Sequence, residues 1–267
     1  MIDQTRPVLE PSVEPLLAAD EAPAHQVFNI DGTGSAVVVC DHASNKIPRR
    51  LGSLGLGDDD LATHIAWDPG AAEVARRLAE HLDAPLVLSG YSRLVVDCYR
   101  PLESPESIAV KSDGIPVPGN RELTRWSRAA RVEGLFHPYH RAISEILDRR
   151  SAAGRPSLLL SVHSFTPVLN DSWRPWHVAF SYGRDARLAA LLVEAFAGYS
   201  DIMVGDNQPY AIEDAMDYTI PVHGERRGVP HVLIEIRQDG LATSEASAGW
   251  AARLAEAYRC TAPSLVT

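Results

Sequence analysis

The sequence predicts an α/β domain in which a mostly parallel or mixed central sheet is covered by helices on both faces. Three observations lead there. Apolar runs such as Ala36 to Cys40 (AVVVC), Leu158 to Val162 (LLLSV) and Val232 to Ile236 (VLIEI) have the length and β-branched content of buried strands. Between them, apolar residues recur every three or four positions, as on one face of a helix. The two kinds of segment alternate along the chain, which is the pattern of strands joined by crossover helices.

Taken in order, residues 1–25 carry Pro7, Pro11, Pro15 and Pro23 and predict an irregular arm, leaving 26–267 as the α/β domain. A strand is expected over 36–40 and a helix over about 69–83, where Ala71, Val74, Ala75, Leu78, Ala79 and Leu82 form one stripe. Asp68-Pro69 offers this helix an N-cap and a first-turn proline. Strand material follows over 85–88 and 93–97, then a proline-rich loop over 101–120. Helix is expected from roughly 122 to 150, broken near Pro138, with Ala142, Ile143, Ile146 and Leu147 facing inward. The run ending at His163 is the next strand, followed by a strand over 178–181, a helix over about 184–198 and a strand around 202–204. Residues 206–228 have no clear periodicity; 232–236 reads as a buried strand and 244–258 as a closing helix.

The whole-chain numbers exclude several classes of function. With 267 residues, 45% hydrophobic and 22% charged, the chain resembles an ordinary globular protein and neither a disordered nor a fibrous one. A formal net charge of -10 argues against nucleic acid or an anionic membrane surface as partner. Three cysteines with no CxxC pair read as thiols of a reducing compartment. The first thirty residues show neither a basic start nor an apolar stretch, so neither a signal peptide nor a membrane span is expected, and a cytoplasmic location is. Homo-oligomerisation is compatible with all of these features.

The chemistry concentrates at predicted strand ends. His42 follows the first strand and His163 closes the run after Leu158. Ligands of open α/β sheets collect at the carboxyl ends of strands. A lone histidine there is more often a hydrogen-bonded structural residue. Two of them with a third strand ending in Glu235 instead match the minimum for a hydrolytic zinc and its acid/base. Asp68 is a helix N-cap on one reading and a third metal ligand on the other. Asn45 competes for that place, although its amide oxygen better suits a supporting role at the substrate. Arg93 and Arg100, in the block SRLVVDCYRP, either pair with Asp97 or grip a substrate carboxylate. Arg237 faces the same side as Glu235 in an extended strand, as a salt-bridge partner or a further substrate contact. Tyr210, Tyr218 and His223 are candidates for stabilising an oxyanion. No phosphate-binding GxxxxGK[ST], GxGxxG after a strand, GxSxG or HExxH motif is present.

Five blocks, DHASNKIP, HIAWDPGA, SRLVVDCYRP, SVHSF and HVLIEIRQD, occur in an order that resembles the N-formylglutamate amidohydrolase family over roughly 36–240. The resemblance implies a carboxypeptidase-like zinc aminohydrolase architecture and hydrolysis of N-formyl-L-glutamate to formate and glutamate. It implies one Zn2+ held by His42 and His163, Glu235 as acid/base, and Arg93 and Arg100 as carboxylate binders. Carboxypeptidase-like sites take HxxE as their first ligand pair, whereas this chain has His42-Ala-Ser-Asn45, so the third ligand stays open between Asp68 and Asn45. The expected partner is a small anionic N-acyl amino acid. A zinc hydrolase for another N-acyl amino acid or a short peptide, and a non-catalytic module binding an acidic metabolite, are the alternatives.

Overall fold

The computed structural model describes residues 15–266. Seven strands form the central sheet: β1 (His25–Phe28), β2 (Ala36–Cys40), β3 (Leu86–Ser89), β4 (Leu158–Phe165), β5 (Val178–Ser181), β6 (Val204–Asp206) and β7 (His231–Arg237). Their spatial order is β1-β3-β2-β4-β7-β5-β6. The central four, β3, β2, β4 and β7, run parallel; β1 and β5 pair antiparallel to β3 and β7, and β6 runs parallel to β5. The sheet is therefore mixed, within the class the sequence predicts.

Alternation along the strands decides which residues face which helices. Ala36, Val38, Leu86, Leu88, Leu160, Val162, Val232 and Ile234 pack against α1 (Ala71–His81), α4 (Arg187–Phe196) and α5 (Ser244–Thr261). The intervening Val37, Val39, Val87, Leu159 and Leu233 pack on the opposite face against α3 (His137–Ala152). Each fully buried Val, Leu or Ile of this kind contributes about 1.5–3 kcal/mol. Beyond the carboxyl ends of β2 and β3 a third apolar cluster, including Tyr91, Leu94, Val95, Val96, Leu135 and Phe136, builds a roof.

Several expectations are corrected. Residues 93–97 form turns and not a strand: the Arg93 amide donates to Ala66, Val95 to Ser92 and Asp97 to Ser107, so no ladder is available. Leu94, Val95 and Val96 are all buried because the roof encloses this segment on every side, which removes the alternation a strand would need. Asp68 does not cap α1. That place belongs to Gly70 in the left-handed region (φ 82°), where a Cβ would stand 2.5 Å from the Leu241 Cβ, so only glycine fits. The Asp68 side chain is thereby released for other partners.

The break near Pro138 is a π-helical turn, Val132–Phe136, between α2 (Arg125–Arg131) and α3. The strand expected around 202–204 lies at Val204–Asp206. Of the predicted arm, residues 1–14 lie outside the described residues; 15–24 are irregular, with Leu16 buried in the roof, and strand β1 starts at His25. Cys40, Cys98 and Cys260 are free thiols, the first two buried. Among the described residues no helix is long and apolar enough to cross a membrane.

Candidate metal centre and active-site cavity

Strands β2 and β4 end side by side, and the turn before α1 crosses their carboxyl ends. This brings His42, Asp68 and His163 together: one ligand atom from each lies within 4.8 Å of the others, and all three residues are buried. Asp68 Oδ2 stands 2.8 Å from His163 Nδ1 and 3.4 Å from His42 Nδ1. The turn itself is fixed by the backbone, since the Asp68 amide donates to the His42 carbonyl.

The opposite nitrogens of both rings meet carboxylates. His42 Nε2 donates to Asp97 Oδ1 at 2.7 Å, and His163 Nε2 to Asp41 Oδ2 at 2.9 Å. Asp97 is held by the Tyr99 amide and by Arg93, 2.9 Å from its Oδ2. Asp41 accepts from Thr219 and Ser161 at 2.5 and 3.0 Å. Imidazoles backed by carboxylates in this way present their other nitrogen with a fixed tautomer.

Electrostatics agree with a cation site. Burial opposes the ionisation of Asp41, but the hydrogen bond and charge of His163, together with His42 and the Thr219 hydroxyl, outweigh it and hold the pKa at about 2. Burial likewise opposes ionisation of Asp68 and Asp97; His42 and His163 hold Asp68, and Arg93 and His42 hold Asp97, well below the usual carboxylate range. Burial disfavours a charged His163, yet its bonds to Asp41 and Asp68 raise it to about 10. The His42 tautomer that donates from Nε2 to Asp97 leaves a lone pair on Nδ1, which is buried and has no hydrogen-bond partner. That lone pair faces a carboxylate oxygen, an arrangement of two acceptors that a divalent cation would satisfy. The donor set of two imidazoles and a carboxylate fits zinc.

Glu235 stands beside this group, in register with His163 on the neighbouring parallel strand. Its Oε2 has no hydrogen-bond partner. Burial pushes its pKa up to about 7, with His163 pulling it down and Asp68 pushing it up. The salt bridge considered with Arg237 is not formed: that guanidinium turns to Asp239 at 2.7 Å and to the carbonyls of Arg174 and Pro175.

A cavity of about 510 Å³ opens over the four residues, lined also by Tyr99, Arg93, Arg100, Arg174 and Tyr210. Three of the sequence-predicted substrate residues lie elsewhere. Asn45 donates to the Leu61 carbonyl at 3.0 Å, His223 is buried against His140, and Arg237 is engaged as above; none lines the cavity. Tyr218 is likewise outside, packed on Phe136 and His140. Arg93 and Arg100 line it, but both are already paired, Arg93 with Asp97 and Arg100 with Asp217 at 3.0 Å. Of two further cavity residues, Tyr99 and Arg174, the sequence singles out neither, although Tyr99 lies in the block SRLVVDCYRP. Tyr99 brings its ring to 4.9 Å from that of His163, and its hydroxyl has no partner. Arg174 directly follows the short hairpin Val168–Leu169 and Ser172–Trp173, its amide donating to the Pro167 carbonyl. Only their placement in the cavity gives either residue its role.

The sequence model of the N-formylglutamate amidohydrolase family matches residues 34–242. Among solved structures, the chain is similar to an Agrobacterium tumefaciens gene product at 40% identity and a TM-score of 0.91, with 94% of this chain and 99% of that one covered. It is similar in fold to an N-formylglutamate amidohydrolase from Ralstonia eutropha, at 15% identity and a TM-score of 0.70, covering 91% and 98%. No curated protein matches the chain.

Proposed function

The chain belongs to the N-formylglutamate amidohydrolase family, whose reaction is hydrolysis of an amide bond, and from that premise we propose that it is a zinc-dependent enzyme converting N-formyl-L-glutamate to formate and L-glutamate. The observation that carries this reading is the juxtaposition of an ionisable, unpartnered Glu235 with the His42, Asp68 and His163 group at the floor of one cavity.

His42, Asp68 and His163 would hold the metal, which when bound supplies Lewis-acid polarisation of the amide carbonyl and acidifies a water molecule. Asp97 and Asp41 keep the two imidazoles turned toward that point. Glu235 accepts the proton of the attacking water and delivers it to the departing nitrogen, a role suited to a pKa of about 7. Tyr99, whose pKa is raised by burial, keeps its proton and offers it as a hydrogen bond to the developing oxyanion.

The size of the cavity and the presence of Phe165, Leu169 and Pro209 in its wall favour one second reading, a longer N-acyl group on the same amino acid. Elemental analysis and turnover on a series of N-formyl, N-acetyl and longer N-acyl glutamates test both. Highest kcat/KM on the formyl compound, with one zinc per chain, is the expected result. A metal-free active enzyme, or a maximum at a long acyl group, would overturn the first reading.

A further inference from the structure

The cavity wall is acidic, with Asp68, Asp217, Glu106, Glu213 and Glu235 all contributing. A substrate that brings carboxylates of its own therefore needs a cation that these acids do not already neutralise. Arg93 and Arg100 do not qualify. Arg93 has Nε and Nη2 at 3.0 and 2.9 Å from one oxygen of Asp97. Arg100 is divided between Asp217, the Met216 carbonyl and Glu106.

Arg174 is different. Its side chain is buried and lines the cavity, yet among the described residues no carboxylate stands within ion-pair distance of it. Its Nη2 donates to the Tyr210 hydroxyl, a neutral partner. The guanidinium lies 5.0 Å from the centre of the Tyr210 ring and 5.8 Å from that of Phe165, so aromatic surfaces hold its plane while leaving donors unspent. A buried guanidinium without a counter-ion is costly to maintain, and an incoming carboxylate would supply the missing charge and a bidentate pair of hydrogen bonds.

We infer that Arg174 is the residue that receives a carboxylate of the substrate, and that Arg93 and Arg100 serve instead to position Asp97 and the loop around Asp217. The inference rests on the amidohydrolase reading for the identity of the substrate but not for the presence of the anion site. Arg174→Met removes the charge while leaving in place the backbone carbonyl that Arg237 uses. In the zinc-loaded protein this variant should lower kcat/KM on N-formyl-L-glutamate by roughly 10- to 100-fold, mainly through KM. The loss should be much smaller on whichever of the α-amide and the γ-amide lacks the carboxylate it grips, and Arg174→Lys should restore part of it.

Calorimetric binding of L-glutamate to the same preparations separates the two proposals. Wild-type protein that binds glutamate but turns over no N-formyl compound would sink the proposed function while leaving the Arg174 site standing, provided the Met variant no longer binds. Active wild-type protein with an equal loss on all three substrates, or a Met variant that binds glutamate as tightly as wild type, would overturn the role of Arg174 and leave the function intact.

Discussion

Glu235 and His163 are registered partners on adjacent parallel strands, so their side chains leave the same face of the sheet side by side. In this arrangement the position of the acid/base candidate relative to the metal group is set by backbone hydrogen bonding and not by loop conformation. Sites built on strands hold such geometry more closely than sites built on loops.

Glu235→Gln should leave metal content unchanged and lower turnover by roughly 10²–10⁴-fold. Because Arg237 pairs with Asp239 and not with Glu235, the substitution strands no cation, and the melting temperature should not fall. Zinc content, melting temperature and rate measured on one preparation check this; a folded, loaded and fully active variant would remove Glu235 from the mechanism.

His42→Ala and His163→Ala should each abolish stoichiometric zinc while the protein stays folded. Elemental analysis reads the result directly, independently of activity. Full occupancy in either variant would show that the histidine in question is not a ligand. Asp68→Asn, measured the same way, tests the third position against Asn45, whose side chain is committed to the Leu61 carbonyl.

Asp97→Asn keeps the volume of the group that orients His42 but weakens its hold on the imidazole, and it removes the closer of the two ion pairs of Arg93, leaving the one to Asp68 at 3.8 Å. Metal affinity should fall by roughly 10- to 100-fold. Competition with a chelator of known affinity measures it, and unchanged affinity would mean that Asp97 serves Arg93 alone.

Acid should destabilise the protein through a second pair of histidines that takes no part in the site. His140 Nε2 donates to the Cys98 carbonyl at 2.8 Å, so its Nδ1 accepts, at 3.0 Å, from His223 Nε2. Both rings are therefore neutral, and burial lowers their pKa values to about 4 and about 3, from 6.5. The folded protein refuses protons that the unfolded chain takes up below pH 6.5. Their contribution is thus complete above 6.5 and declines as the pH falls toward 4, by about 1.4 kcal/mol per pH unit for each proton bound only on unfolding. Melting temperature followed from pH 7.5 to 4.5 should fall less steeply in His223→Gln than in wild type; parallel profiles would contradict the assignment.

Much of the frame is legible in the amino-acid sequence. Strands around Val38, Leu160 and Ile234, and the helix carrying Val74 and Leu78, follow from local periodicity, because each buries a face whose spacing the backbone dictates. His42, His163 and Glu235 can be grouped from the sequence because strand ends of a parallel sheet share one edge. Tertiary structure alone decided the partnerships of charge. Asp68 could be an N-cap or a ligand until Gly70 took the cap; Asp97 reaches His42 across 55 residues of sequence; and Arg237, correctly oriented along its strand, turns to Asp239. Arg174 has no sequence signal at all, since what sets it apart from the other arginines of the cavity is the lack of a counter-ion. Local pattern reflects the geometry of one element, whereas a guanidinium or carboxylate takes its role from whichever opposite charge the folded chain brings within a few ångströms.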